Sequence, residues 1–293
     1  MVCYTGIARF SQPAAMRHDR PDWFTQAVCA KGSAIWQTWK AGQMAEAGFW
    51  VAASLAAVLV GMGKGGVPVV AMLSVPLMSL VMPPVMAAGL LLPIYVVSDA
   101  FGLYAYRAAF DRRVLAIMVP ATTIGVGLGW ATAHLVPEAL VTGIVGLIGA
   151  AFAANLLFRR NALPTPQPAR VAPGLFWGTA TGFTSFVSHA GAPPYQVYTM
   201  PLRMPKEVFA GTSTILFAYV NAIKLVPYWA LGQINLANLR TTAILCIPAA
   251  LAVFAGVRLV KSLPERLFFQ LVTWALLLLS CKLIWDAARD LTA

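Results

Sequence analysis

Charge is what this sequence lacks most. Asp, Glu, Lys and Arg make up only 11% of its 293 residues, against roughly 25% in a soluble globular domain. So few charges cannot cover a water-soluble fold of this size, and lipid is the solvent that asks for least polar surface. The four cysteines, Cys3, Cys29, Cys246 and Cys281, form neither CxxC nor CxxxC. That leaves no disulfide framework and no metal site. A GxxxxGK[ST] phosphate loop is missing, and nothing calls for a cofactor. Residues 1–40 contain no apolar stretch followed by a cleavage site, so they do not form a good signal peptide. Acidic residues number 10 against 21 Lys and Arg, giving a net charge of +11. The bases stand singly or in pairs at the ends of apolar runs. That is the pattern of membrane topology signals, not of a nucleic-acid stripe.

What is present is long apolar sequence, 59% of the chain by residue type. A bilayer core asks for about 20 such residues per helix. Runs fall at 47–62, 67–82, 85–106, 114–135 and 139–158, then at 174–187, 192–204, 208–231, 239–257 and 267–284. The expected fold is all-α, a polytopic transmembrane bundle of two homologous repeats with broken or half helices. Residues 1–45 read as a cytoplasmic extension, partly disordered or partly a surface helix around Trp36 and Trp39, and 46–158 as the first repeat. Residues 159–173, with Arg159, Arg160, Pro164, Pro166, Pro168 and Arg170, read as a linker. Residues 174–287 form the second repeat and 288–293 a tail.

The halves match at an offset of 125 residues. Gly66 and Pro76 align with Gly191 and Pro201, Pro76-Leu77 with Pro201-Leu202, and Asp99 with Lys224. If each proline-bearing run extends its predecessor there are eight crossings; if each is a separate or re-entrant span there are ten segments. Both counts put the termini on one side. The positive-inside rule favours eight, because that count keeps the basic linker in the cytoplasm with the termini.

Candidate chemistry clusters at the breaks. Gly61-Met-Gly-Lys-Gly-Gly66 frees backbone amides within apolar surroundings, and a helix starting after Gly66 aims its positive dipole end the same way. Gly63, Lys64, Gly65 and Gly66 together suit an anion; the alternative is a surface loop with Lys64 in the interface. The second-half equivalent, Ser185 to Gly191, offers Ser188, His189 and Gly191, with a plain packing histidine as the alternative. Broken helices in both halves point to a transporter site. Asp99 and Lys224 each cost about 2.5–3.5 kcal/mol at the centre of a membrane helix. Such residues pair, face a cavity or carry protons. Asp99 is expected to pair with Lys224 or to carry a coupling proton. Asn221 shares the face of Lys224. Gly125 with Gly129, and Gly178 with Gly182, read as helix-packing motifs. Trp50, Trp130, Trp177, Trp229 and Trp274 read as interface anchors or packing residues, and His134 as interfacial.

These motifs resemble the TauE/SafE family of sulfite and organic-anion exporters. The likeness runs through Gly61 to Gly66, Leu73-Ser-Val-Pro76, Leu92 to Asp99, Tyr106-Arg107 and Phe110-Asp111. It continues through Gly182 to Ser185, Ser188 to Pro194, Pro201, Gly211-Thr212, Asn221, Lys224 and Gly232-Gln233. It spans about 46 to 285. Many members carry glycine where this chain has Lys64, and Gly-Gly where it has Gly191-Ala192. The resemblance implies a duplicated helical unit exporting small, often sulfur-containing anions across the inner membrane. The expected partners are a small anion and the lipid bilayer, with no nucleic acid; a homo-oligomer is compatible with the sequence. An enzyme is not expected. Ser188 and His189 point about 100° apart on a helix, and Asp99 has no second carboxylate in the apolar runs for an aspartyl site. A non-transporting assembly or signalling subunit is the remaining alternative.

Overall fold

The computed structural model describes residues 47–82, 84–132, 135, 137–158, 166–230 and 239–292. The N-terminal extension with Cys3 and Cys29, residues 159–165 of the linker, His134 and Gly232-Gln233 lie outside the described residues. Among the described residues the chain is all-helical, without strands. The elements are α1 Ala47–Lys64, α2 Pro68–Ala71, α3 Ser74–Met78, α4 Pro84–Tyr106, α5 Arg112–Thr132, α6 Glu138–Phe158, α7 Val171–Ser188 and α8 Ala192–Thr199. A 3-10 turn Met200–Leu202, α9 Lys206–Ala230, α10 Leu239–Ser262 and α11 Glu265–Thr292 complete them. Among the described residues seven helices are long and apolar enough to cross a membrane: α1, α4, α5, α6, α9, α10 and α11. Their outward faces carry large apolar side chains such as Leu147, Phe158, Leu278 and Trp285, the surface lipid requires. Trp130, Trp229 and Trp274 are exposed, whereas Trp50 and Trp177 are partly buried.

α7 starts at Val171, inside the stretch read as linker, and α11 runs on to Thr292, through the stretch read as tail. Asp111 starts α5 by accepting the N–H of Val114 at 2.9 Å, an N-cap. Its own N–H donates to Thr212 Oγ1 at 2.9 Å, so these two motif residues tie α5 to α9.

Glycine contacts give the helix directions. A Cβ on Gly61 would lie 2.1 Å from Ala249 O and one on Gly65 2.6 Å from Gly256 Cα, so α1 and α10 run parallel. Gly125 faces Thr179 and Gly129 faces Phe186, so α5 and α7 are parallel too. Gly143 meets Ala287 and Gly149 meets Ser280, so α6 and α11 are antiparallel. Asp99 bonds Asn221 while Gly102 meets Thr214, so α4 and α9 are antiparallel.

Two tethers then identify the ends. Arg113 Nε donates to Ala169 O at 3.0 Å, joining the starts of α5 and α7. Lys206 Nζ donates to the carbonyls of Lys261 and Leu263, joining the start of α9 to the finish of α10. One end of the bundle therefore holds the starts of α5, α7, α9 and α11. The other holds the starts of α1, α4 and α10 and the finish of α11.

The broken runs do not extend their predecessors. After Gly66, whose φ of +114° suits glycine, α2 and α3 double back. Ala71 lies against Gly63, and Met78 and Met82 share the apolar cluster of Phe49 and Ala52. After His189, left-handed at φ 54°, α8 returns along α7, and Tyr198 donates to Arg170 O at 3.0 Å. Proline opens each return: Pro68 in α2, and Pro193 and Pro194 in α8, where a missing N–H costs least. The preference for eight crossings is thereby corrected. Each half enters, turns back and then crosses three times, so the start of α7 lies at the end opposite the start of α1.

The GxxxG pairs are packing devices. A Cβ on Gly182 would sit 2.2 Å from Thr122 O, and one on Gly125 2.1 Å from Thr179 O. In lipid such close backbone approach is what drives helix association. Gly182→Leu is expected to open this seam and lower stability by about 1–3 kcal/mol, read as a lower thermal midpoint in detergent. Gly127→Ala, which meets nothing within 4 Å, should not.

Candidate functional site

The tips of the two hairpins meet at a cavity of about 50 Å³ between the halves, lined by Gly63, Lys64, Ser185, His189, Gly191, Asn221 and Lys224, with Tyr95, Ser213, Thr214 and Phe217. α9 presents Thr214, Phe217, Asn221 and Lys224 at three- and four-residue steps, one face of a helix. α1 ends in Lys64 and α4 contributes Tyr95; Asp99, one turn on in α4, does not itself line the cavity.

Two charged groups organise the walls. Lys64 Nζ lies 2.6 Å from Asp99 Oδ1, with both side chains 5% exposed. Asn221 Nδ2 donates to Asp99 Oδ2 at 2.8 Å, and Lys64 Nζ sits 5.2 Å from the centre of the Tyr95 ring. Across the cavity Lys224 Nζ donates to Ser185 O at 2.6 Å and lies 3.5 Å from His189 Nδ1. His189 Nε2 is 2.8 Å from the Tyr228 hydroxyl, and that ring lies 5.3 Å from Lys224 Nζ. The expected pairing of Asp99 with Lys224 is corrected: Asp99 pairs with Lys64. The reason is position. α1 ends beside α4 at the level of Gly102, whose Cβ would lie 3.0 Å from Lys64 O. Lys224 lies one turn beyond Asn221 and faces the tip of the other hairpin. His189 stands 125 positions after Lys64, as Lys224 does after Asp99. An ion pair in the first half thus corresponds to a Lys–His pair in the second.

Besides Asp99, three expected site residues do not line the cavity. The amides of Gly65 and Gly66 donate to Gly61 O and Gly63 O at 2.8 and 3.2 Å, so they finish α1 and are not free for a ligand. Their missing Cβ atoms instead admit Gly256 and the Tyr106 hydroxyl, which itself donates to Gly65 O at 2.6 Å. The Ser188 hydroxyl donates to Thr184 O at 3.2 Å. The expected half-helix dipoles are weak as well. α2 has four residues, and Pro193 and Pro194 in the first turn of α8 have no N–H to offer. Tyr95, Tyr228, Ser213 and Thr214 were not singled out from sequence. The signal existed for the tyrosines: Tyr95 is four residues before Asp99, and Tyr228 four after Lys224.

No group of three or more His, Cys, Asp or Glu able to hold a metal occurs among the described residues. Residues 47–283 match the family model described as Sulfite exporter TauE/SafE. The chain belongs to this TauE/SafE family. No curated protein and no solved structure matches it. The match spans both hairpins, all the helices around the cavity and every candidate site residue. The protein is accordingly a polytopic membrane transporter of the TauE/SafE type.

Proposed function

We propose that this TauE/SafE protein moves a small anion, sulfite or a short sulfonate, by alternating access around the cavity between its halves. One observation carries the reading. Lys224, 2% exposed, reaches the cavity with a carbonyl and an imidazole for company and, among the described residues, no carboxylate paired with it, so an anion is its natural partner. Hydroxyls of Ser213 and Thr214 and the Asn221 amide surround the space. A water needs roughly 10–15 Å³ on this measure, so about 50 Å³ holds about four water-sized atoms, the size of sulfite. The recurring order of elements, with hairpins entering from opposite ends, favours two inverted copies rocking about a shared site. Ser188 donates to its own helix while His189 faces Tyr228 and Lys224, which favours transport over hydrolysis by a Ser–His pair. The test is sulfite flux in proteoliposomes: Lys64→Ala and Lys224→Ala should both impair it, and unimpaired flux in both removes the site.

Orientation follows from the ends. The end holding the start of α7 carries exposed Arg107, Arg112, Arg113, Arg170, Arg203, Arg258, Lys261 and Arg266. At the other end the described residues carry fewer exposed bases, Arg240 and Arg289. On the positive-inside rule we read the more basic end as cytoplasmic, with the start of α1 and the finish of α11 outside, opposite to the expectation from sequence. In a cysteine-free background, Asp290→Cys should react with an impermeant maleimide on intact cells, and Gln167→Cys only after permeabilisation. The reverse pattern would return the termini to the cytoplasm.

A further inference from the structure

We propose that the cavity selects its cargo by charge, taking an anion with a single negative charge, such as bisulfite or a monosulfonate, and rejecting a dianion of the same shape. This deepens, and rests on, the reading of the cavity as the anion site.

The argument is a charge count around the cavity. Lys64 is matched by Asp99 at 2.6 Å, and the second oxygen of that carboxylate is held by Asn221. The pair therefore adds no net charge. Lys224 has no such match: its near neighbours are Ser185 O and His189 Nδ1. An ammonium is donor-only, so the ring nitrogen facing it must offer its lone pair. The imidazole proton then sits on Nε2 and is donated to the Tyr228 hydroxyl at 2.8 Å, which donates in turn to Phe186 O at 3.3 Å. This relay holds His189 neutral. A proton on Nδ1 would set two donors against each other. The ionisable groups facing the site from α1, α4, the α7–α8 turn and α9 thus sum to one positive charge among the described residues. Buried away from water, an unmatched charge is expensive. A monoanion cancels Lys224, whereas a dianion leaves one negative charge without a partner.

Methanesulfonate and sulfate provide the test. Both are tetrahedral with five heavy atoms, and they carry one and two charges. Binding to the purified full chain is measured by calorimetry in bis-Tris gluconate at constant ionic strength, gluconate being too large for the cavity. The wild type should bind methanesulfonate at least about tenfold more tightly than sulfate, the ratio expected from one unmatched buried charge. Asp99→Asn frees Lys64, raises the site by one charge and should reverse the order. The double variant Lys64→Met with Asp99→Asn removes the pair as a neutral unit and should restore the wild-type order. Lys224→Gln tests the same count without touching the ion pair, and it should lose methanesulfonate binding. Equal or tighter sulfate binding by the wild type overturns the charge rule alone. So does an unchanged order in folded Asp99→Asn, or methanesulfonate binding retained in Lys224→Gln. Binding of neither anion by the wild type removes the anion reading of the cavity itself.

Discussion

Lys224→Met is expected to cut sulfite flux in proteoliposomes by about 10- to 100-fold, the range for loss of one charge-assisted contact of about 1.5–3 kcal/mol. Methionine keeps much of the length and removes the charge. The substitution leaves Ser185 O and His189 Nδ1 without their donor, which opposes stability. It also removes an ammonium from a site 2% exposed, which favours it. The two effects offset, so the thermal midpoint in detergent should stay near the wild type while flux falls. Flux at the wild-type rate in a well-folded Lys224→Met protein would show that the anion does not need this cation.

The second large effect is on stability. Asp99→Ala leaves the Lys64 ammonium buried with no carboxylate and deprives Asn221 of its acceptor. Breaking a buried pair from one side costs about 3–5 kcal/mol. Unfolding in mixed micelles should report a loss of that order. Removing both partners, as Lys64→Met with Asp99→Ala, should recover most of it, because no charge is then left alone. If Asp99→Ala proved as stable as the wild type, Lys64 and Asp99 would not be coupled. α1 would then be held to α4 by packing alone.

The long helices were legible because each is a continuous apolar run bounded by proline, glycine or arginine, and lipid makes that signal strong. The GxxxG pairs were legible for a related reason: Gly125 and Gly182 mark places where backbones must touch, and a Cβ at either would meet a carbonyl at about 2 Å. The breaks at Gly66 and His189 could be located, but not their direction. A glycine at φ +114° says that a helix stops and leaves open whether the chain continues or returns. The packing of Met78 beside Phe49 and of Tyr198 beside Gly174 decides for return. That choice put Arg170 and the start of α7 at the end opposite the start of α1 and the finish of α11. For Gly65 and Gly66 the residue type was right to notice and the purpose different. Their amides close α1, and their bare Cα atoms let α10 and Tyr106 approach.

By itself the sequence determined that this chain lives in a membrane as a helical bundle of the TauE/SafE type, and it marked Lys64, Asp99, His189 and Lys224 as polar residues within or between apolar runs. Those properties depend on composition and on spacing along the chain, which are local. Only the tertiary structure decided that Asp99 belongs to Lys64 and that Lys224 is left with His189. Salt bridges and hydrogen bonds act over about 3 Å, and which groups come that close depends on the crossing of α1, α4 and α9. No residue in any of these helices specifies that crossing on its own.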